Sequence, residues 1–161
     1  MKANESSSMK KIASFTVNHD ILERGMYLSR VDGDCVTYDI RMKKPNGGEY
    51  LENAAMHTIE HLFATFARNS NVGQEILYVG PMGCRTGFYL LVRNRVSHAQ
   101  AIALVYQAMQ FIADYEGEIP GTTSIECGNY LEHDLIGAKK EAAAIAAVLK
   151  DWDEEKIYYK S

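Results

Sequence analysis

The sequence predicts an α+β domain in which an antiparallel-rich sheet is covered by helices. Two observations lead to this class: extended segments rich in β-branched and aromatic residues precede and interleave with three helical segments, and strict alternation of strand and helix is absent. No internal repeat and no Pro/Gly/Ser-rich linker divides the 161 residues, a length that suits one domain with a sizeable core. We therefore expect a loose polar tail over residues 1–10 and a single domain over residues 11–161.

The predicted strands are five short segments. They cover residues 14–17, 26–31, 35–42, 75–82 and 86–94. The Asp-Gly-Asp between the second and third segments favours a hairpin turn, and a Gly-bracketed turn separates the last two. Between these pairs, the stretch KKPNGGEY contains one Pro and two Gly, which break regular structure and predict a loop.

Three segments carry helical signals. AAMHTIEHLFATFARN has apolar residues at helical spacing and follows Asn53, a plausible N-cap. Ser97 and Gln100 form a capping-box pattern at the start of HAQAIALVYQAMQFIADY. The last segment, GAKKEAAAIAAVLKDW, is rich in Ala, the residue with the highest helix propensity.

Composition narrows the possible partners and location. A net charge of −4 without a long basic stripe predicts no nucleic-acid partner. No apolar run approaches the roughly 20 residues needed to span a bilayer, and the N-terminus shows no hydrophobic signal segment. We expect a cytoplasmic protein without a membrane partner. In that reducing compartment, three cysteines argue against a disulfide framework and for a ligand or catalytic role of at least one.

The stretch HTIEH predicts a metal site. His57 and His61 are four residues apart, so on a helix both rings project from one face, about 40° apart. That geometry suits two ligands of a tetrahedral ion, and Glu60 lies close enough to act on a bound oxygen without being a ligand. The alternative is a solvated helix face that carries two histidines by chance.

A reactive metal site needs a third protein ligand, and the remaining Cys and His residues are the candidates. Cys127 lies in a polar turn, Cys35 resembles a small buried hydrophobe, and Cys84 lies between glycines that allow close approach of a ligand. With Arg85 beside it, Cys84 could also carry protons. Spacing alone does not decide between Cys84 and Cys127. Two other candidates have simpler interpretations. His98 lies near a helix start and is expected to be exposed, and His133 is expected to make a structural hydrogen bond.

Four motifs, HTIEHLFATFARN, GPMGCRTGFYL, ECGNYLEHDL and DIRMKKPN, closely resemble those of the S-ribosylhomocysteine lyase (LuxS) family, from Ser14 to about Lys140. The resemblance implies a fold of the LuxS/MPP-like metallohydrolase type and one catalytic domain. It also implies one divalent metal per subunit, held by His57, His61 and Cys127. The implied ion is iron(II), with zinc or cobalt able to substitute.

The same resemblance implies the chemistry. S-ribosylhomocysteine would be converted to homocysteine and 4,5-dihydroxy-2,3-pentanedione, the precursor of autoinducer-2, with Glu60 and Cys84 as the acid–base pair. The product would belong to quorum sensing and the activated methyl cycle. The protein would be a homodimer with sites at the subunit interface. The implied substrate-binding residues are Ser14, His19, Arg41 and Arg68.

Two positions depart from the family pattern, although the metal and acid–base residues match it. Tyr78 stands where an acidic residue is frequent and Gly80 where Ser is common, and both concern recognition of the homocysteine end.

HxxEH is also the signature of inverzincin-like metallopeptidases, but those use a downstream Glu ligand and give the cysteines no role. A non-enzymatic metal-binding module would instead need a closed site with four protein ligands.

Overall fold

Four antiparallel strands form one sheet in the computed structural model, which describes residues 9–161. The strands are β1 (Gly25–Asp32), β2 (Cys35–Arg41), β3 (Ile76–Pro81) and β4 (Gly87–Arg93), in the spatial order β1-β2-β4-β3. Every neighbouring pair is antiparallel, so the predicted class is confirmed. Most of the predicted tail over residues 1–10 lies outside the described residues.

The two faces of the sheet differ in chemistry because side chains alternate along a strand. On β2, Val36, Tyr38 and Ile40 are buried in the hydrophobic core. Asp39 and Arg41 point to the opposite face, where they are also buried. The sheet therefore carries an ion pair on the side that faces away from the core, and this pair bears on the functional site.

Three helices cover the core face of the sheet. They are α1 (Asn53–Asn69), α2 (His98–Ala113) and α3 (Leu135–Leu149), and each packs against the other two. Two short 3₁₀ turns, at Ala13–Phe15 and Gly73–Glu75, complete the described elements. None of the described helices combines the length and the apolar character that crossing a bilayer requires.

Local structure departs from the sequence predictions in three places. The strand predicted at 14–17 is wrong, because the Ala13–Phe15 turn has no strand partner and its residues are not buried. Glu52, not Asn53, precedes the first helical residue, and its side chain makes no capping bond. Helix α3 begins two residues before the predicted start, since the Asp134 side chain accepts a hydrogen bond from the Gly137 N–H. The capping box at the start of α2 is confirmed.

Candidate metal centre

The two histidines of HTIEH present their Nε2 atoms to the same space. His57 Nδ1 lies 2.7 Å from the Glu132 carbonyl oxygen, and His61 Nδ1 lies 2.8 Å from that of Pro120. A carbonyl oxygen can only accept, so each Nδ1 carries the proton and each Nε2 keeps its lone pair. Second contacts of this kind are typical of metal-binding histidines, because they fix the tautomer and the ring orientation.

Cys127 is the cysteine that the fold brings to these histidines. Its Sγ lies 3.4 Å from His57 Nε2 and 3.8 Å from His61 Nε2. Metal bonds of about 2.1 Å to nitrogen and 2.3 Å to sulfur, in tetrahedral geometry, separate the donor atoms by about 3.5 Å. The three donors therefore fit one divalent cation and leave a position for another ligand. Spacing had left Cys84 and Cys127 open, and the geometry favours Cys127.

The loop before α3 holds its backbone close to the metal group. Gly121 has a φ of 75°, and a Cβ at this position would lie 3.1 Å from His61 Nδ1. Only glycine combines this left-handed backbone with so close an approach, which lets the Pro120 carbonyl reach the ring. Farther along, the Cys127 N–H donates to the Thr123 carbonyl, and Glu126 accepts from the Thr123 hydroxyl at 2.7 Å. These turns fix the thiol beside α1.

A third imidazole, His133, lies in the same group, although the sequence analysis favoured a structural hydrogen bond for it over metal binding. The His133 ring stacks on the His57 ring with centroids 4.0 Å apart, and the donor atoms of all four residues lie within 4.8 Å of one another. Its Nδ1 is 2.9 Å from the Thr58 hydroxyl, in line with the structural hydrogen bond that we expected. Its buried Nε2 has no partner among the described residues. Burial lowers the pKa of His133, and the charges of His57 and His61 lower it further.

Cys84 lies in an exposed turn between β3 and β4, against a buried cation. Arg41 Nη1 is 4.0 Å from the Cys84 Sγ and donates to the Thr86 hydroxyl at 2.8 Å. The thiol itself is 3.1 Å from that hydroxyl. Arg85, expected to be the neighbouring positive charge, instead donates to the Leu51 carbonyl. Arg41 is thus the cation that faces the thiol.

Glu60 is the one acidic side chain of the HTIEH segment, and it carries no fixed partner. It lies on α1 between His57 and His61 and is half-buried. Within residues 9–161, no hydrogen bond or ion pair joins its carboxylate to another side chain. A carboxylate left free in this way can accept and return protons without first breaking a salt bridge.

Comparison with known proteins agrees with this arrangement. The model of the family S-Ribosylhomocysteinase (LuxS) matches residues 12–156. This chain belongs to the LuxS family. It is 46% identical over 157 residues to the S-ribosylhomocysteine lyase of Phocaeicola vulgatus, covering 94% of this chain and 98% of that protein. Against the S-ribosylhomocysteine lyase of Clostridium acetobutylicum, the identity is 45% over 156 residues, covering 94% and 99%.

In the described part of this chain, none of the four predicted substrate-binding residues makes a hydrogen bond to the metal group, since Arg41 bonds to Asp39 and Thr86 instead. Ser14 lies in the short turn Ala13–Phe15, and His19 Nδ1 bonds to the Val17 carbonyl at 2.9 Å. Arg68, at the end of α1, donates to the carbonyl groups of Ile76 and Leu77. Their roles in substrate binding therefore stay predictions.

The two departures from the LuxS pattern are coupled in space. Tyr78 and Gly80 point to the same face of the edge strand β3, and a Cβ on Gly80 would overlap the Tyr78 ring. The aromatic ring therefore lies across the glycine, and the Tyr78 residue is 54% exposed. A side chain at position 80 and this placement of the ring exclude each other.

Two residues outside the centre differ from the sequence expectations. Cys35 is only half-buried, because it lies at the first position of β2, beside the hairpin turn. His98 was expected to be exposed, yet it is half-buried and its Nδ1 lies 2.5 Å from the Tyr38 hydroxyl. Neither contacts the four residues of the metal group.

Proposed function

We propose that this protein is an S-ribosylhomocysteine lyase, a carbon–sulfur lyase that releases homocysteine and 4,5-dihydroxy-2,3-pentanedione, the autoinducer-2 precursor. One observation supports this most strongly: Cys127 Sγ and the Nε2 atoms of His57 and His61 converge at metal-ligand separations in a chain of the LuxS family. The family match favours the lyase over the metallopeptidase. With the three donors that we assign, a tetrahedral ion keeps one open position, which argues against a closed structural site.

We assign the metal to His57, His61 and Cys127, one ion per subunit. A mixed nitrogen and sulfur donor set suits several first-row divalent ions, so iron(II) is our proposal and zinc or cobalt could substitute. When bound, the cation supplies Lewis acidity to the carbonyl and hydroxyl oxygens of the substrate. His133 flanks this space and limits the room beside the His57 ring.

We assign proton transfer to Glu60 and Cys84. In the open-chain sugar, the carbonyl must move from C1 to C2 and then to C3 before the C–S bond can break. Each move removes a proton from a carbon next to a carbonyl and delivers one to the neighbouring carbon or oxygen, which two side chains can share. From the C3 ketone, loss of one further proton expels homocysteine thiolate by β-elimination. The unpaired Glu60 carboxylate and the Cys84 thiol facing Arg41 suit these steps.

The remaining part of the proposal is the substrate pocket and the dimer. The proposed pocket residues are Ser14, His19, Arg41 and Arg68. A homodimer would allow the residues that are remote within one chain to complete the site of the other. Large apolar side chains are exposed around the metal loop, which supports an association surface there: Ile125, Leu131 and Ile136.

The decisive experiment is anaerobic purification with metal analysis, followed by a thiol-release assay on S-ribosylhomocysteine. We expect about one iron per chain and stoichiometric release of homocysteine thiol. Sedimentation velocity of the same sample should give a dimer. Peptide hydrolysis without thiol release would revive the peptidase, and a fully occupied metal without either activity would favour the binding module.

A further inference from the structure

A chain of hydrogen bonds runs from the C-terminal segment to the Cys84 turn. Its centre is the ion pair of Asp39 and Arg41, whose side chains are only 2% and 3% exposed. Arg41 Nη2 donates to Asp39 Oδ2 at 2.6 Å, and Arg41 Nη1 faces the Thr86 hydroxyl and the Cys84 thiol. Both members of the ion pair therefore determine the electrostatic potential at the Cys84 thiol.

Tyr159 forms the other end of this chain. Its hydroxyl donates to the same oxygen, Asp39 Oδ2, at 2.7 Å, while Asp39 Oδ1 has no partner in the described part of the chain. The Tyr159 ring stacks on Tyr27 at 5.2 Å between centroids, which holds the hydroxyl in place. Burial and the Asp39 charge raise the pKa of Tyr159 well above its usual value, so the hydroxyl stays a donor.

We propose that Tyr159 is a positioning residue, which tunes the reactivity of the Cys84 thiol through Asp39 and Arg41. Arg41 attracts a thiolate, whereas the Asp39 carboxylate opposes it. A hydrogen bond from Tyr159 withdraws part of the carboxylate charge, so the balance at Cys84 becomes more positive. The proposal rests on the proposed function only in taking Cys84 as the proton carrier.

Two other polar groups near the thiol do not change the balance of positive and negative charge there. Burial raises the pKa of Tyr89 on β4, and Asp39 raises it further, so this phenol is neutral. The Arg85 side chain turns toward the Leu51 carbonyl and the Tyr50 ring. Arg41 and Asp39 are therefore the charges whose balance Tyr159 can change.

The test is the rate at which iodoacetamide alkylates Cys84 in the metal-loaded protein, followed by mass spectrometry of the Cys84 peptide at one fixed pH. Tyr159→Phe keeps the stacked ring and removes only the hydroxyl. We expect alkylation about three- to tenfold slower, less than the full contribution of a hydrogen bond to a charged group, because the effect reaches Cys84 only through Asp39 and Arg41. Tyr158→Phe is the matched control, because Tyr158 is 59% exposed and its loss should leave the rate unchanged.

Asp39→Asn provides a second variant with the opposite sign. It removes the opposing charge and keeps the shape, so alkylation of Cys84 should become faster than in the parent. A parental alkylation rate in Tyr159→Phe would overturn the proposal and reduce Tyr159 to a packing role. Equal slowing in Tyr159→Phe and in the Tyr158→Phe control would overturn it as well. A failure of the proposed function can be told apart from a failure of this proposal. Turnover that survives Cys84→Ala would refute the role of Cys84 as proton carrier, but the alkylation rates would still report whether Tyr159 affects the thiol.

Discussion

Cys127 Sγ lies 3.4 Å from His57 Nε2, although 70 residues separate the two in the chain. The contact joins helix α1 to the loop that precedes α3. Two backbone carbonyls of the loops around Cys127 also accept from the paired imidazoles. The metal group is thus assembled from two distant segments, and each segment can be tested separately.

Removing a proposed ligand should abolish metal binding and turnover together. His57→Ala and Cys127→Ala each leave two of the three assigned donors, too few to hold a divalent ion against water and chelators. We expect metal content to fall at least about tenfold in both variants, with thiol release lost in parallel. Cys35→Ala is the matched control, because this cysteine lies at the start of β2, away from the group. Full metal content in Cys127→Ala would contradict the ligand assignment.

Removing a proposed proton carrier should separate metal binding from turnover. Glu60→Gln and Cys84→Ala keep all three assigned donors, so metal content and the proposed dimer should match the parent. Thiol release should fall by about 10²- to 10⁴-fold, the usual contribution of a positioned acid or base. Metal analysis and the thiol assay on the same preparations check both halves of this expectation. Parental turnover in Cys84→Ala would refute the assigned role.

The helical period explains why part of the centre could be predicted from the sequence alone. Two histidines four apart on a helix share a face wherever that helix packs, so the His57 and His61 pair follows from local geometry. The contact with Cys127 does not, because no local pattern specifies which distant loop returns to the helix. The resemblance to known motifs supplied that ligand instead.

Tertiary packing also determines two features that the local sequence pattern does not specify. The strand predicted at 14–17 has the right residue types, yet this segment forms a 3₁₀ turn and pairs with no strand of the described sheet. His133 joins the metal group through its hydrogen bond to Thr58 and its ring contacts with His57 and His61. None of these contacts has a signature in sequence spacing.

Gly121 should be required for the orientation of His61. Gly121→Ala places a Cβ 3.1 Å from the ring nitrogen at a φ of 75°, so the loop must shift away and weaken the Pro120 contact. We expect about ten- to hundredfold weaker metal affinity in a chelator competition assay. Gly117→Ala is the matched control, since it has a φ of 106° but nothing within 4 Å of the added Cβ. Equal losses of affinity in both variants would indicate backbone strain alone and contradict a specific role of the His61 contact.

Chelation of the metal should lower the thermal stability of the parent protein. A ligand that binds only the folded chain stabilises it by mass action, and this ion would join α1 to the loop before α3. We expect the unfolding midpoint, followed by circular dichroism, to drop by several degrees when excess chelator removes the ion, and to recover when iron(II) is restored anaerobically. In Cys127→Ala the chelator should change nothing, because no ion is held to begin with. An unchanged midpoint in the parent, with metal loss verified by analysis, would show that the ion does not couple the two segments.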